Sequence, residues 1–296
     1  SPTPKDLIGT AYFARDAQLM ASMAAALGKA KLAENYTKLA ETIKQAFQER
    51  FITKTGHVLG NTQTSYLLAL GFDLVPEELF KAAAGNLVHC IESRNWHLST
   101  GFLGTPLLNP VLTKIGRCDV AYRLLKQETY PSWLYPIKNG ASTMWERWNS
   151  WTKERGFGPV EMNSFNHYAY GAIGEWLYQR VCGIAPHPDY NGYKRAILAP
   201  LPGGGMSYGG GSLETNAGRY VSKWRQKGKV FTFDFTIPEG ADAVIRLPAL
   251  KWSQMRLGGK AVPARYKQKS TSLFGKCELL LPSGEYNLEV DNFLDN

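Results

Sequence analysis

Apolar residues recur at helical spacing in successive segments from about residue 11 to residue 182, broken by an indole-rich stretch before residue 165 that is mostly loop with short helical pieces, and then alternation replaces the pattern. Helices repeat their buried face every three to four residues and half-buried strands every second residue, so the change marks two kinds of fold in one chain. Leu19, Met20, Met23 and Leu27 predict a helix over 11–28, closed by Gly28, with both methionines in the core. Leu32, Tyr36, Leu39, Ile43 and Phe47 predict a second over 32–52, with Lys and Glu on the far side. Asn61 or Thr62 caps a short helix through Tyr66, Leu67 and Leu70 that ends near Gly71. Pro76-Glu77-Glu78 opens another, with two acids at the positive end of its dipole, running to about Ile91. Residues 97–106 read as a loop. Thr105-Pro106 opens a helix over 106–115, and Gly116 separates it from one over 118–128. The last helix is expected over 165–182, with Ala169, Ile173, Trp176, Leu177 and Val181 on its core face. His167, Tyr170, Gly171 and Gly174 would share another face of it.

Beyond residue 184 prolines and glycines multiply. Alternation predicts strands over 219–224 and 229–237, joined at Gln226-Lys227-Gly228, and further strands at 242–247, 254–257, 277–281 and 285–290. The expected architecture is multidomain, α then β: paired antiparallel helices over 1–184, which can close a toroid, and a small antiparallel β-sandwich over 185–296. Gly203–Gly205 and Gly209–Gly211 lack the Lys-Ser/Thr of a phosphate loop and read as flexible turns at the junction.

Several function classes drop out. The 296 residues carry a net charge of +9, but Lys and Arg are scattered with no basic run to follow a phosphate backbone, so no nucleic-acid partner is expected. No apolar run is long enough to span a bilayer, so no membrane partner is expected. Cys90, Cys118, Cys182 and Cys277 form no C-x-x-C pair and have no histidine at a metal-finger offset, so no metal or other cofactor is expected. Free thiols and the lack of a signal-peptide pattern point to a cytoplasmic protein. No G-x-S-x-G is present.

What remains is the stretch from Ser132 to Tyr170. Four of the eight tryptophans, Trp133, Trp145, Trp148 and Trp151, lie in its first half, with Glu146 between two of them. Indole faces stack on the C–H faces of a pyranose, and a carboxylate among indoles suits a base that activates water. The competing reading of Glu146 is a structural ion pair with Arg147 or Arg155. His167 reads as a hydrogen-bond donor to a sugar hydroxyl or as a satisfied buried histidine, and His97 likewise. Of Trp145 and Trp148, one would stack on a ligand and the other belong to the core; Trp133, Trp151, Trp176 and Trp224 read as core. Asn163 and Asn166 suit either sugar hydroxyls or a helix cap.

The segments HLSTGFLGTP (97–106), GRCDVAYRLLKQETYPSWLY (116–135), GASTMWERWNSW (140–151), GFGPVEMNSFNHYAYGAIGEWLY (156–178) and PLPGGG (200–205) closely resemble the bacterial α-L-rhamnosidases of glycoside hydrolase family 78. The match runs in one order over nearly the whole chain. The resemblance implies a catalytic (α/α)6 barrel followed by a C-terminal β-sandwich, and release of terminal α-L-rhamnose from a rhamnose-containing glycoside with inversion. It implies that Glu146, in WERW, is the general base on water and that His167, in FNHYAYG, contacts the rhamnose. Trp145, Trp148 and His97 lie on matching segments near the sugar.

The chain also departs from that family. The family enzymes are longer, and the resemblance places their general acid and further sugar-gripping residues before the segment matched here. No matching acid segment occurs between Ser1 and Gly56. The expectation is therefore a C-terminal part of a rhamnosidase: about eight of twelve barrel helices, with apolar helix faces left uncovered and with one of the two carboxyls that inversion needs. The alternative is a non-catalytic rhamnose-binding or structural piece, associating with another copy or with the remaining part of the enzyme.

Overall fold

A computed structural model describes residues 2–270, 275 and 277–291. The chain divides into two units, Ser1–Ala172 and Ile173–Asn296.

The first unit is helical. α1 (Lys5–Ala26) and α2 (Ala30–Phe51) pack along their lengths across a turn at Gly28. Their contact is not the one the periodicity suggested. α1 buries Leu7, Ala11, Ala14, Ala17 and Ala24, while Met20, Met23 and Leu27 are exposed, Leu27 by 71%. Alanine lets neighbouring elements approach closely, so the small-residue face of α1 turns inward and the bulky residues turn outward. Met20 and Met23 are therefore not core residues. In α2, Ile43 and Phe47 are buried as expected, joined by Ala40 and Phe51, while Leu32 and Leu39 are exposed.

α3 (Gln63–Gly71) is buried from Gln63 through Leu70. Thr62 caps it: its hydroxyl accepts from the Ser65 backbone N–H, and the Ser65 hydroxyl accepts from the Thr62 N–H. A 3-10 turn at Glu77–Leu79 leads into α4 (Phe80–Glu92), and α5 (Thr105–Lys114) and α6 (Cys118–Leu125) follow with Gly116 between them. α7 (Leu134–Lys138) is one turn, and β1 (Trp151–Thr152) pairs with β2 (Gly156–Phe157) in a small hairpin.

The helix expected over 165–182 is broken. The His167 N–H is donated to the Met144 carbonyl, and the Phe165 carbonyl accepts from the Thr143 hydroxyl. Backbone groups spent on the 143–146 segment cannot start a helix, so turning begins only at Ala169. A 3-10 turn covers Ala169–Ala172, then α8 (Ile173–Trp176) and a π turn at Leu177–Val181 open the second unit. His167 therefore does not share a helix face with Tyr170, Gly171 and Gly174.

The second unit is a sheet domain of β3 (Ile184–Pro186), β4 (Arg195–Leu198), β5 (Tyr208–Thr215), β6 (Gly218–Lys227), β7 (Val230–Leu247), β8 (Met255–Leu257), β9 (Lys260–Ala261), β10 (Lys267–Lys269) and β11 (Cys277–Asp291). Two pairs of expected strands are single long ones. Residues 229–237 and 242–247 fall in β7, and 277–281 and 285–290 in β11; the two pair antiparallel through a register shift between Pro282 and Gly284. One half of each carries β5, β6 and β8, the other β3, β4 and β10, and both halves contribute to one core containing Trp224, Phe233, Phe235, Ile245 and Leu279. One ladder, β4 with β7, is parallel. Gly209–Gly211 are not a flexible turn but part of β5. A Cβ at Gly209 would lie 2.7 Å from the Trp224 ring, so glycine is there to let the strand lie on the indole. None of the described helices is long and apolar enough to cross a membrane.

Candidate active site

Three buried helical starts of the first unit are tied together by side chains. At the head of α3, Gln63 donates to the His97 carbonyl at 3.0 Å and accepts from the Ser99 N–H at 2.7 Å. At the head of α5, the Thr105 and Thr100 hydroxyls lie 2.8 Å apart, and a Cβ on Gly104 would fall 2.6 Å from the Thr64 hydroxyl of α3. Only glycine permits that approach. The turn at Ala169 joins through indoles: Trp133 Nε1 donates to the Tyr170 carbonyl and Trp148 Nε1 to the Thr100 carbonyl, each at 3.0 Å. Trp148 lies flat on the Tyr170 ring, centroids 3.8 Å apart and planes 2° apart, and meets Trp133 edge-on. Burial pushes the Tyr170 phenol above its ordinary pKa, with Tyr130 and Glu146 adding to the rise and Arg147 opposing it.

Glu146 is fixed on this platform. Its N–H is donated to the Ser164 carbonyl at 2.9 Å, and its Oε2 accepts from the Ser164 N–H at 2.8 Å. Among the described residues neither Arg147 nor Arg155 pairs with it, so the structural ion pair is not formed. Trp145, the preceding residue, is buried with its ring edge-on to Phe165, which in turn meets Phe157. One carboxylate oxygen is thus held by backbone beside aromatic rings, and Oε1 has no partner among the described residues.

His167 is partly buried three residues beyond Ser164. Its Nδ1 accepts from the Ala169 N–H at 3.3 Å, so in the neutral ring the proton sits on Nε2, available as a donor. His97 is differently placed. Its Nδ1 lies 3.1 and 2.9 Å from the Arg94 and Asn95 carbonyls and its Nε2 lies 2.8 Å from the Thr129 hydroxyl, so both ring nitrogens are occupied by the protein. His97 and Trp148 line a hollow of about 660 Å³ together with Arg94, Ser99 and Tyr130. Asn163 donates to the Ser150 carbonyl, and Asn166 is exposed. Among the described residues no three His, Cys, Asp or Glu side chains come together as a metal-binding group.

The structure thus brings Glu146, Trp145, Trp148 and His167 into one neighbourhood and places His97 with Trp148 on the wall of the hollow, its ring nitrogens held by Arg94, Asn95 and Thr129. Sequence reasoning missed Ser164 as the residue that orients Glu146, and Tyr170 and Thr100 as the partners of Trp148. A signal existed for the last: Gly104 and the paired threonines mark a close approach of backbones.

A family model for the bacterial alpha-L-rhamnosidase 6 hairpin glycosidase domain matches residues 1–181, and one for the bacterial alpha-L-rhamnosidase C-terminal domain matches 183–261. The chain belongs to the bacterial α-L-rhamnosidase family. An alpha-L-rhamnosidase of Streptomyces avermitilis is 49% identical over 83% of the chain, which covers 24% of that protein, and one of Formosa agariphila is 46% identical over 83%, covering 26%. The crystal structure of the Streptomyces avermitilis rhamnosidase complexed with L-rhamnose superposes on 98% of the chain with a TM-score of 0.89 at 43% identity, the chain covering 27% of it. The chain spans about a quarter of the length of these rhamnosidase relatives. Its helical unit is followed by a sheet unit, in the order of the two matched family domains.

Proposed function

We propose that this chain carries the water-activating side of an inverting α-L-rhamnosidase. The helical residues 1–184 form part of an (α/α)6 barrel, and 185–296 form its C-terminal β-sandwich. Glu146 is the general base. The observation that carries this is the hold on its carboxylate: Oε2 is tied to the Ser164 N–H while Oε1 is left without a partner among the described residues. A base must be held still yet keep a lone pair for the proton of water. His167 donates from Nε2 to a rhamnose oxygen. Trp145 and Trp148 wall the sugar site. One face of Trp148 is already covered by Tyr170, so only the other is left for a ligand. His97, with both ring nitrogens engaged, shapes the wall through its loop.

Inversion needs a second carboxyl about 6.5–9.5 Å from the first, across the scissile bond. This reading assigns that acid to a part of the enzyme outside the 296 residues. The substrate is a glycoside ending in α-L-rhamnose.

The test is hydrolysis of an aryl α-L-rhamnoside by a longer protein that contains this chain, followed by NMR so that the first-formed anomer is seen. The β anomer appearing first, with loss of turnover in Glu146→Gln, supports the reading. First release of the α anomer sinks inversion. Robust turnover by the purified 296-residue chain alone places the acid within it and overturns that part.

A further inference from the structure

On β5 and β6 every second residue faces solvent. Tyr208 stands in register with Arg225, Gly210 with Lys223 and Ser212 with Val221, while Tyr220, Ser222 and Trp224 of β6 are buried. β7 continues the outward row of Lys223 with Asp234, and β11 continues it with Asn287. Two hollows lie along this face, about 590 Å³ over β5 and β6 and about 330 Å³ over β6, β7 and β11, and both are lined by Val221 and Lys223. They adjoin as one trough across four strands, roughly 14 Å at the usual strand spacing.

Gly210 lets β5 lie close on β6 beneath the trough: a Cβ there would lie 2.5 Å from the Ser222 carbonyl oxygen and 2.7 Å from the Lys223 Cα. At one end Tyr208 is 73% exposed, a phenol ring held out in water at the start of a strand. Lys223 and Arg225 form no ion pair with any described acid. Asp234, by contrast, is engaged by the Asn287 side-chain amide at 2.7 Å, and Arg219 pairs with Glu214 at 3.2 Å. The ring and both free cations line the hollow over β5 and β6, and they match a sugar chain that carries carboxylates. The ring stacks on C–H faces and the cations take the carboxylates, while Asp234 and Glu285 in the other hollow bound the anion site on the side of β7 and β11. One ring and two cations are too few to track a nucleic-acid strand, which needs successive stacking platforms along a basic groove.

We propose that this face of the second unit binds an acidic polysaccharide. The probe is native affinity electrophoresis of the whole chain through gels containing polygalacturonate or its methyl ester. Polygalacturonate is expected to retard the chain several-fold more than the ester. Tyr208→Ala, which leaves the charge unchanged, and the double variant Lys223→Ala/Arg225→Ala are each expected to lose most of that retardation. Lys29→Ala/Lys31→Ala, which removes the same charge from exposed positions on α2 and the turn before it, is expected to keep it. Equal retardation by acid and ester, an unaffected Tyr208→Ala, or equal loss in the α2 control would each overturn the proposal. Circular dichroism of the variants guards against misfolding.

Discussion

Glu146 and Ser164 hold each other by two hydrogen bonds, the Glu146 N–H to the Ser164 carbonyl at 2.9 Å and the Ser164 N–H to the Glu146 carboxylate at 2.8 Å. The pair fixes the carboxylate by backbone alone, with no cation among the described residues to neutralise it. That separates positioning from charge, and the separation can be tested. In Glu146→Gln the amide oxygen still accepts from Ser164, so the fold and the placement survive while the base is lost. In a protein that contains this chain and hydrolyses an aryl α-L-rhamnoside, kcat is expected to fall about 10²–10⁴-fold with little change in KM. A variant that keeps wild-type kcat removes Glu146 from the mechanism.

Trp148 carries a different load. It stacks on Tyr170, meets Trp133 edge-on and donates to Thr100, all while buried. Trp148→Ala should destabilise the helical unit by about 3–5 kcal/mol. Trp148→Phe keeps the stack but strands the Thr100 carbonyl, so it should cost about 1–3 kcal/mol. Urea unfolding followed by near-UV circular dichroism reads both. A Phe variant as damaged as the Ala variant would show that the hydrogen bond, not the stack, joins the segments.

The sequence made some of this visible and hid the rest for physical reasons. The Thr62 cap on α3, the Thr105-Pro106 opening of α5 and the Gly116 break before α6 were legible because caps and breakers act within a few residues. The exposure of Met20 and Met23 was not legible. Periodicity reports that a helix has an apolar side, but α1 has a small-residue side as well, and only the partner helix decides which one packs. The break of the helix at 165–168 was hidden because its cause lies twenty residues upstream, where Met144 and Glu146 take the backbone groups of His167 and Ser164. Long-range pairing of that kind leaves no local trace. The fusion of four expected strands into β7 and β11 has the same origin, since the irregularity between Pro282 and Gly284 looks like a turn until the pairing of β11 with β7 on both sides of it is known. In the candidate site, Glu146 stood out by its indole neighbours, whereas Ser164 was one polar residue among several.

Gly104 tests whether the helical starts must touch. A Cβ there would sit 2.6 Å from the Thr64 hydroxyl and about 3 Å from Thr100, whose carbonyl anchors Trp148. Gly104→Ala should push α5 from α3 at a cost of about 1–3 kcal/mol, the usual range for overpacking. The indole near-UV signal should shift with it, because Trp148 loses its anchor. Thr64→Ser, which removes only a methyl, is expected to leave both unchanged. If Gly104→Ala is neutral in urea and in the indole signal, the loop yields freely and the three helical starts are not a rigid platform.

Tyr220 gives the sheet unit an alkaline limit. Its hydroxyl donates to the Tyr193 carbonyl at 2.8 Å and lies 3.2 Å from that of Asp242, and burial, aided by the Asp242 charge, pushes its pKa up to about 12. The folded protein therefore holds the proton more tightly than the unfolded chain, whose tyrosines titrate near 10. The stabilisation that follows is complete below pH 10 and drains away as pH rises from there through about 12. Ultraviolet titration should show a late-ionising tyrosine that is absent in Tyr220→Phe. The variant should be less stable at pH 8, because two carbonyls lose a donor, yet its stability should fall less between pH 10 and 12 than that of the parent. Parallel decline of the two proteins across that interval would mean that Tyr220 is not the group that limits the sheet in alkali.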